Sequence, residues 1–301
     1  MPRDSHDYAT GDASARRLGI AVAINLLLTA AQIIGGVLAG SLSLVADALH
    51  NFSDAAGLLL ALTARRISKR PADEDRTFGY GRASVVGGLI NLTSIVVIAG
   101  YLLIEAITRA FERPEVDGWI VVIVAGVALA VDVATAVLTY AMSKSSINIK
   151  AAFLHNLADA LASVVVIITG TLIILFDWYW TDLVATIGIS IYIVWMSVPP
   201  LKRCIRILMQ STPEDVDVRA VADAIASCEG VEGVFHLHVW MIEEHTRSVE
   251  VRVVVDDRRI SELAPLRLQI EELLAESFDA AHATIEFVNG SPADRPLIAR
   301  H

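Results

Sequence analysis

The chain carries the stretch Leu49-His50-Asn51-x-x-Asp54-Ala55 and repeats it 105 residues later as Leu154-His155-Asn156-x-x-Asp159-Ala160, each time inside an apolar run of membrane-spanning length. On a helix, a His and an Asp four residues apart share one face, so each copy presents one imidazole nitrogen and one carboxylate to a common point. A charge at bilayer depth costs roughly 2.5 kcal/mol or more on insertion scales, and two uncompensated carboxylates there repel one another. A divalent cation held between the two helices removes both penalties. Two imidazoles and two carboxylates make an N2O2 set that suits tetrahedral zinc better than magnesium or calcium. His50, Asp54, His155 and Asp159 are therefore the candidate ligands, and the pattern implies a membrane carrier of a divalent metal ion.

Composition agrees with a membrane class. Hydrophobic residues make up 54% of the 301 positions and charged ones 19%, too apolar a balance for an ordinary soluble protein. The net charge of −10 is carried by residues 211–301, where 18 acidic side chains face 8 basic ones, while the rest balances at 16 each. That sign disfavours nucleic acid as a partner and is compatible with cations. Cys204 and Cys228 are the only cysteines and form no C-x-x-C, so neither a disulfide framework nor a thiolate metal site is expected.

Of six apolar runs, 18–38, 42–63, 85–107, 119–142, 151–176 and 183–196, most lie close to the roughly 20 residues a helix needs to cross hydrocarbon. The first follows a polar N-terminal tail (1–15) and has no A-x-A-like cleavage site, so it is expected to be a span and not a signal peptide. Lys and Arg set the orientation. Arg65, Arg66, Lys69, Arg70, Arg76 and Arg82 separate runs two and three, and Lys144 and Lys150 separate four and five. Arg16 and Arg17 precede run one, whereas Lys202, Arg203 and Arg206 follow run six. The positive-inside rule puts both termini in the cytoplasm, with Trp178, Tyr179 and Trp180 as an aromatic anchor on the outer side. Gly36, Gly40 and Gly87-Gly88 read as sites of close helix packing.

After the transport domain (16–208), residues 209–290 have soluble character, and the chain ends in a short tail, 291–301. Apolar spacing predicts a helix over 215–228, strands over 231–242 and 248–255, a helix over 260–278 and a third strand over 282–288. The order α-β-β-α-β predicts a small α/β, ferredoxin-like domain behind an α-helical membrane bundle of six transmembrane helices.

Two more acids stand within apolar runs. Asp47 lies three residues before His50, near its helical face, and Asp132 is alone in run four. Each is a candidate proton acceptor or partner of an imidazole, or else a carboxylate bonded to a neighbouring helix. Asn51 and Asn156 read as hydrogen-bonders within the bundle. The run Asp73-Glu74-Asp75 could gather cations at an entrance, but such loop acids are usually just solvated.

The stretch from Gly40 to Ala55, GSLSLVADALHNFSDA, resembles the second span of the cation diffusion facilitator family. So do Phe78-Gly79-Tyr80-Gly81-Arg82, the second His-x-x-x-Asp, and Ser211-Thr212-Pro213-Glu214-Asp215, in the family's order and covering nearly the whole chain. The resemblance implies a proton-coupled exporter of divalent metal working as a homodimer in the plasma (inner) membrane of a bacterium. It implies that His50, Asp54, His155 and Asp159 form the transport site, with zinc the leading substrate and cadmium and cobalt as alternatives. No cofactor is implied; the metal is the substrate. Relatives bind a second metal through histidines in the loop after span two, but Arg76 and Tyr80 occupy those places here. His238-Val239-Trp240 also resembles a family motif, and His282 heads the last strand as in relatives, so His238, His282 and Glu286 are candidates for a regulatory cytoplasmic site. Arg252 stands where a second-strand histidine is expected.

Two other classes compete. A membrane zinc metalloenzyme would need an open coordination position and a base such as H-E-x-x-H supplies, and no such motif occurs. A metal-gated channel or sensor shares the ligands but differs in lacking concentrative flux.

Overall fold

The computed structural model describes residues 25–112, 115–143, 147–290 and 296–298, but not the side chains of 138, 139, 141–143, 147–152 and 155. The polar N-terminal fifteen residues, the start of the first apolar run and most of the 291–301 tail lie outside these. Six helices occupy the apolar part of the described chain: α1 (Asn25–Ala39), α2 (Leu42–Ser68), α3 (Ala83–Arg109), α4 (Gly118–Ser143), α5 (Ile147–Phe176) and α6 (Trp180–Leu208). Four contain segments long and apolar enough to cross a membrane, namely Ala83–Arg109, Gly118–Val137, Asn156–Phe176 and Trp180–Leu208. The 27 residues of α2 have the length, but Asp47, His50, Asp54, Arg65 and Arg66 interrupt their apolar character. Helix α6 is longer than its apolar run. It continues through Pro199-Pro200, whose rings remove two backbone donors without ending it.

The chain divides into two compact units, residues 1–60 with 90–199 and residues 61–89 with 200–301. In the first, Leu44 on α2, Leu102 on α3, Val121 on α4 and Val166 on α5 are fully buried in one apolar cluster. Glycines set how closely its helices approach. A Cβ on Gly118 would come within 2.7 Å of the Gly170 carbonyl oxygen, so α4 and α5 cross backbone to backbone there. Gly40 turns α1 into α2 at φ +70°, a left-handed conformation that a side chain disfavours, and its Cβ would meet the Glu115 carbonyl oxygen at 3.0 Å.

The second unit holds α7 (Val218–Ala226), β1 (Gly233–Glu243), β2 (Thr246–Val254), α8 (Ile260–Phe278) and β3 (Ala280–Val288). Asp217 caps α7 by accepting from the Arg219 amide, and the Glu262 carboxylate accepts from the Arg259 amide at the start of α8. The sheet runs β1-β2-β3, with β1 and β2 antiparallel and β2 and β3 parallel. Period two puts Leu237, Val239, Val249, Val251 and Val253 on one face, where they join Val221 and Ile225 of α7 and Leu263, Leu266, Ile270 and Leu274 of α8. Both helices thus cover one side. Along the β1 rim, the Leu237 amide donates to the Leu297 carbonyl at 2.8 Å, and the His236 amide to that of Pro296 at 3.4 Å.

The other face of the sheet meets the loop between α2 and α3. Arg82 donates to the carbonyl oxygens of Ile242, at 2.9 Å, and Met241, at 3.4 Å, and the Phe78 ring stands edge-on to His282 with centroids 6.1 Å apart. The motif from Phe78 to Arg82 therefore works as a clasp between this loop and the sheet.

Candidate metal site

Helix α2 has a polar stripe because Asp47, His50, Asn51 and Asp54 recur at spacings of three and four, and α5 brings Asp159 against it. His50 Nε2 lies 3.3 Å from Asp159 Oδ1 and 3.8 Å from Asp54 Oδ2. Ligand atoms from these three residues all fall within 4.8 Å of one another. Zinc bound about 2.0–2.1 Å from each donor in a tetrahedron sets neighbouring donors roughly 3.3 Å apart. The His50–Asp159 pair already has that spacing, and Asp54, at 3.8 Å from His50, lies about half an ångström beyond it from that partner. His155 lies one helical turn before Asp159 on α5, and its side chain is outside the described residues.

These side chains are screened from water to different extents. Those of His50 and Asp159 are 11% and 10% exposed, whereas that of Asp54 is 29% exposed. Beside them opens a cavity of about 440 Å³ lined by Asp47, His50 and Asp159 and by apolar residues of α5 and α6, including Val165, Val184, Ile189 and Ile193. Ionisable side chains at the wall of a mostly apolar cavity form an environment chemically suited to a desolvated cation.

The secondary acids have partners of their own. Asp47, almost fully buried, accepts from the Gln32 amide of α1 at 2.7 Å, and Gln32 in turn accepts from Asn51 at 3.2 Å. This chain ties α1 to α2 beside His50, which is the role expected for Asn51. Asp132 on α4 accepts from the Ser163 hydroxyl of α5 at 3.1 Å. Gln32 was not singled out by sequence; an uncharged amide in a first apolar run carries little signal without its partner. Asp73 of the loop accepts from the Tyr80 hydroxyl at 2.6 Å and the Arg76 amide at 2.8 Å, and these bonds hold its carboxyl below the usual range. It serves the turn.

The trio His238, His282 and Glu286 does not converge in this structure. His238 pairs with Glu250, and Glu250 with Thr284, while His282 is opposite Ser248, so the two histidines lie on strands separated by β2, roughly 10 Å apart. Glu286 is taken by Arg252, whose Nε approaches to 2.6 Å. Arg252 fills the place of the second-strand histidine and claims the carboxylate that would have been a ligand. His236 sits at a bulge with φ +50°, its ring edge-on to His238 at 4.8 Å. Among the described residues, His50, Asp54 and Asp159 are the group whose ligand atoms converge for a metal ion.

Residues 18–209 match the family model described as the cation efflux transmembrane domain, and residues 213–287 that of the cation efflux protein cytoplasmic domain. The chain is 33% identical over 298 residues to the metal cation efflux system protein CzcD of Cupriavidus metallidurans, covering 99% of this chain and 93% of that protein. It is 34% identical over 258 residues to the cadmium, cobalt and zinc/H(+)-K(+) antiporter of Bacillus subtilis, with 85% and 83% of the two chains covered. The proton-coupled zinc antiporter SLC30A2 of Homo sapiens is 30% identical over 283 residues, covering 88% and 76%.

Proposed function

The chain belongs to the cation efflux, or cation diffusion facilitator, family, and we propose that it exports Zn²⁺ from the cytoplasm in exchange for protons. One observation carries this reading: His50, Asp54 and Asp159, from two helices, present donors within 4.8 Å of one another at the edge of an apolar cavity. His155, on the same face of α5 as Asp159, completes the set as the fourth ligand. Zinc is favoured by the mixed imidazole and carboxylate donors and by the His50–Asp159 spacing. Cadmium and cobalt, named in the Bacillus subtilis relative, are the alternative cargoes.

Exchange follows from the ligands. A neutral imidazole and a carboxylate bind metal, an imidazolium and a carboxylic acid do not, so protons and zinc compete for one site. Loading from the less acidic side and release toward the more acidic one makes a proton gradient drive metal uphill. In this reading Asp47 and Asp132 support the imidazoles or pass protons; Asp47 adjoins the same cavity and accepts from Gln32, and Asp132 accepts from Ser163 of α5.

In the full reading, α1 to α6 are six crossings, the α-β-β-α-β unit is a ferredoxin-like cytoplasmic domain, both termini are cytoplasmic, and the protein works as a homodimer in the inner membrane. The basic residues after α2 and α6 support that orientation, and the exposed stack of Phe176, Trp178 and Trp180, with centroids 5.2 and 5.8 Å apart, supports an outer interface at the α5–α6 turn. The test is zinc flux into proteoliposomes under an imposed pH gradient. Uphill uptake that collapses with the gradient is expected; downhill leakage indifferent to pH would point to a channel and overturn the proposal.

A further inference from the structure

We infer that Asp182, at the start of α6, is a positioning residue for transport: it sets the depth and rotation of α2 and thereby the alignment of His50 and Asp54 with Asp159. The inference rests on the metal site proposed above. Asp182 is 1% exposed and lies 140 residues from its partners in sequence. Its carboxylate receives four donors from the first residues of α2. Oδ1 accepts from the hydroxyls of Ser41 and Ser43, each at 2.6 Å, and from the Ser43 amide at 3.3 Å, while Oδ2 accepts from the Leu42 amide at 2.8 Å. Ser41 Oγ also accepts from the Leu44 amide at 3.2 Å, so the serine that caps α2 is itself held by α6.

The joint is chemically specific. The N-termini of α2 and α6 meet at one carboxylate, which satisfies the buried Leu42 and Ser43 amides that α2 itself cannot. The same two helices flank the ligands further along, because α6 contributes Val184, Ala185, Gly188, Ile189 and Tyr192 to the cavity beside His50 and Asp159. His50 stands eight residues beyond Leu42, about 12 Å along the helix axis. A tilt of about 5° at the joint displaces the imidazole by about 1 Å, enough to take a donor out of a coordination sphere with tolerances near 0.2 Å.

Asp182→Asn tests this. An amide keeps one acceptor oxygen but turns an N–H₂ toward a site built of donors, so volume is preserved while the anchoring is lost. In proteoliposomes, the variant is expected at wild-type yield with a KM for zinc raised about tenfold and an altered zinc-to-cadmium preference. The double variant Ser41→Ala, Ser43→Ala, which keeps the backbone donors, is expected to shift both in the same direction by less. Adding Asp182→Asn to it should then cost less than on the wild type. A variant with wild-type KM and metal preference, at any maximal rate, overturns the inference, because a purely structural role changes the amount of active protein and not the site. Should Asp182→Asn yield no protein, the serine variant decides by the same criterion. Wild-type protein that fails to transport zinc refutes the metal site instead.

Discussion

Asp159 and Asp54 are both carboxylates four residues after a histidine, yet the structure predicts unequal consequences for their loss. Asp159 lies 3.3 Å from His50 Nε2 with its side chain 10% exposed; Asp54 lies at 3.8 Å and is 29% exposed. Neutralising one member of a desolvated charge constellation costs about 2–3 kcal/mol, which is roughly a 30- to 150-fold loss of apparent affinity. That figure applies to Asp159→Asn. Asp54 is the less enclosed of the two, so Asp54→Asn should cost less, about 1 kcal/mol, roughly fivefold. The assay is the zinc concentration dependence of flux in proteoliposomes, with each variant normalised to reconstituted protein. Equal losses, or a larger loss for Asp54→Asn, would refute the claim that burial ranks the two ligands.

Leu274 is fully buried between α8 and the sheet, so Leu274→Ala should destabilise the cytoplasmic unit by about 2–5 kcal/mol, read as earlier loss of its protease resistance on heating. Gly40→Ala forces a Cβ into a left-handed turn 3.0 Å from the Glu115 carbonyl oxygen; about 1–2 kcal/mol of strain should lower folded yield in detergent, measured by size-exclusion chromatography. Arg247 holds the Asp215 carboxyl below its ordinary value of 3.8 through a 2.6 Å hydrogen bond. The unfolded chain then binds this proton more readily than the folded one, so the contribution is complete above that ordinary value and disappears as pH falls through the lower folded one. Denaturant titrations of wild type and Arg247→Gln should therefore diverge at neutral pH and converge under strong acid.

Sequence reading recovered those features that depend on local pattern. Helix α8 begins and ends where apolar spacing places it, and the α-β-β-α-β order follows from period changes that need no tertiary knowledge. The His-x-x-x-Asp repeat drew attention to Asp54 and Asp159 because a charge in an apolar run is conspicuous, and their carboxylates lie together with His50. Boundaries were less visible. Helix α7 starts at Val218, not 215, because Asp217 captures the Arg219 amide, and α6 overruns its apolar stretch because Pro199-Pro200 does not stop it. Long-range pairing was invisible: Asp182, just ahead of the sixth apolar run, was not singled out, because nothing local says that its partners are Ser41 and Ser43. The grouping of His238, His282 and Glu286 was blind to the same thing, since strand register, shifted at the bulge by His236, decides which side chains become neighbours.

Pro296 and Leu297 sheathe the β1 rim of the cytoplasmic sheet with two main-chain hydrogen bonds. Cutting the chain ahead of them, or fusing a tag that pulls them away, bares a row of amides and carbonyls on which a foreign strand can grow. For anyone preparing this protein, Pro296 and Leu297 thus act as a guard on that rim against unintended strand pairing, and affinity handles belong away from them.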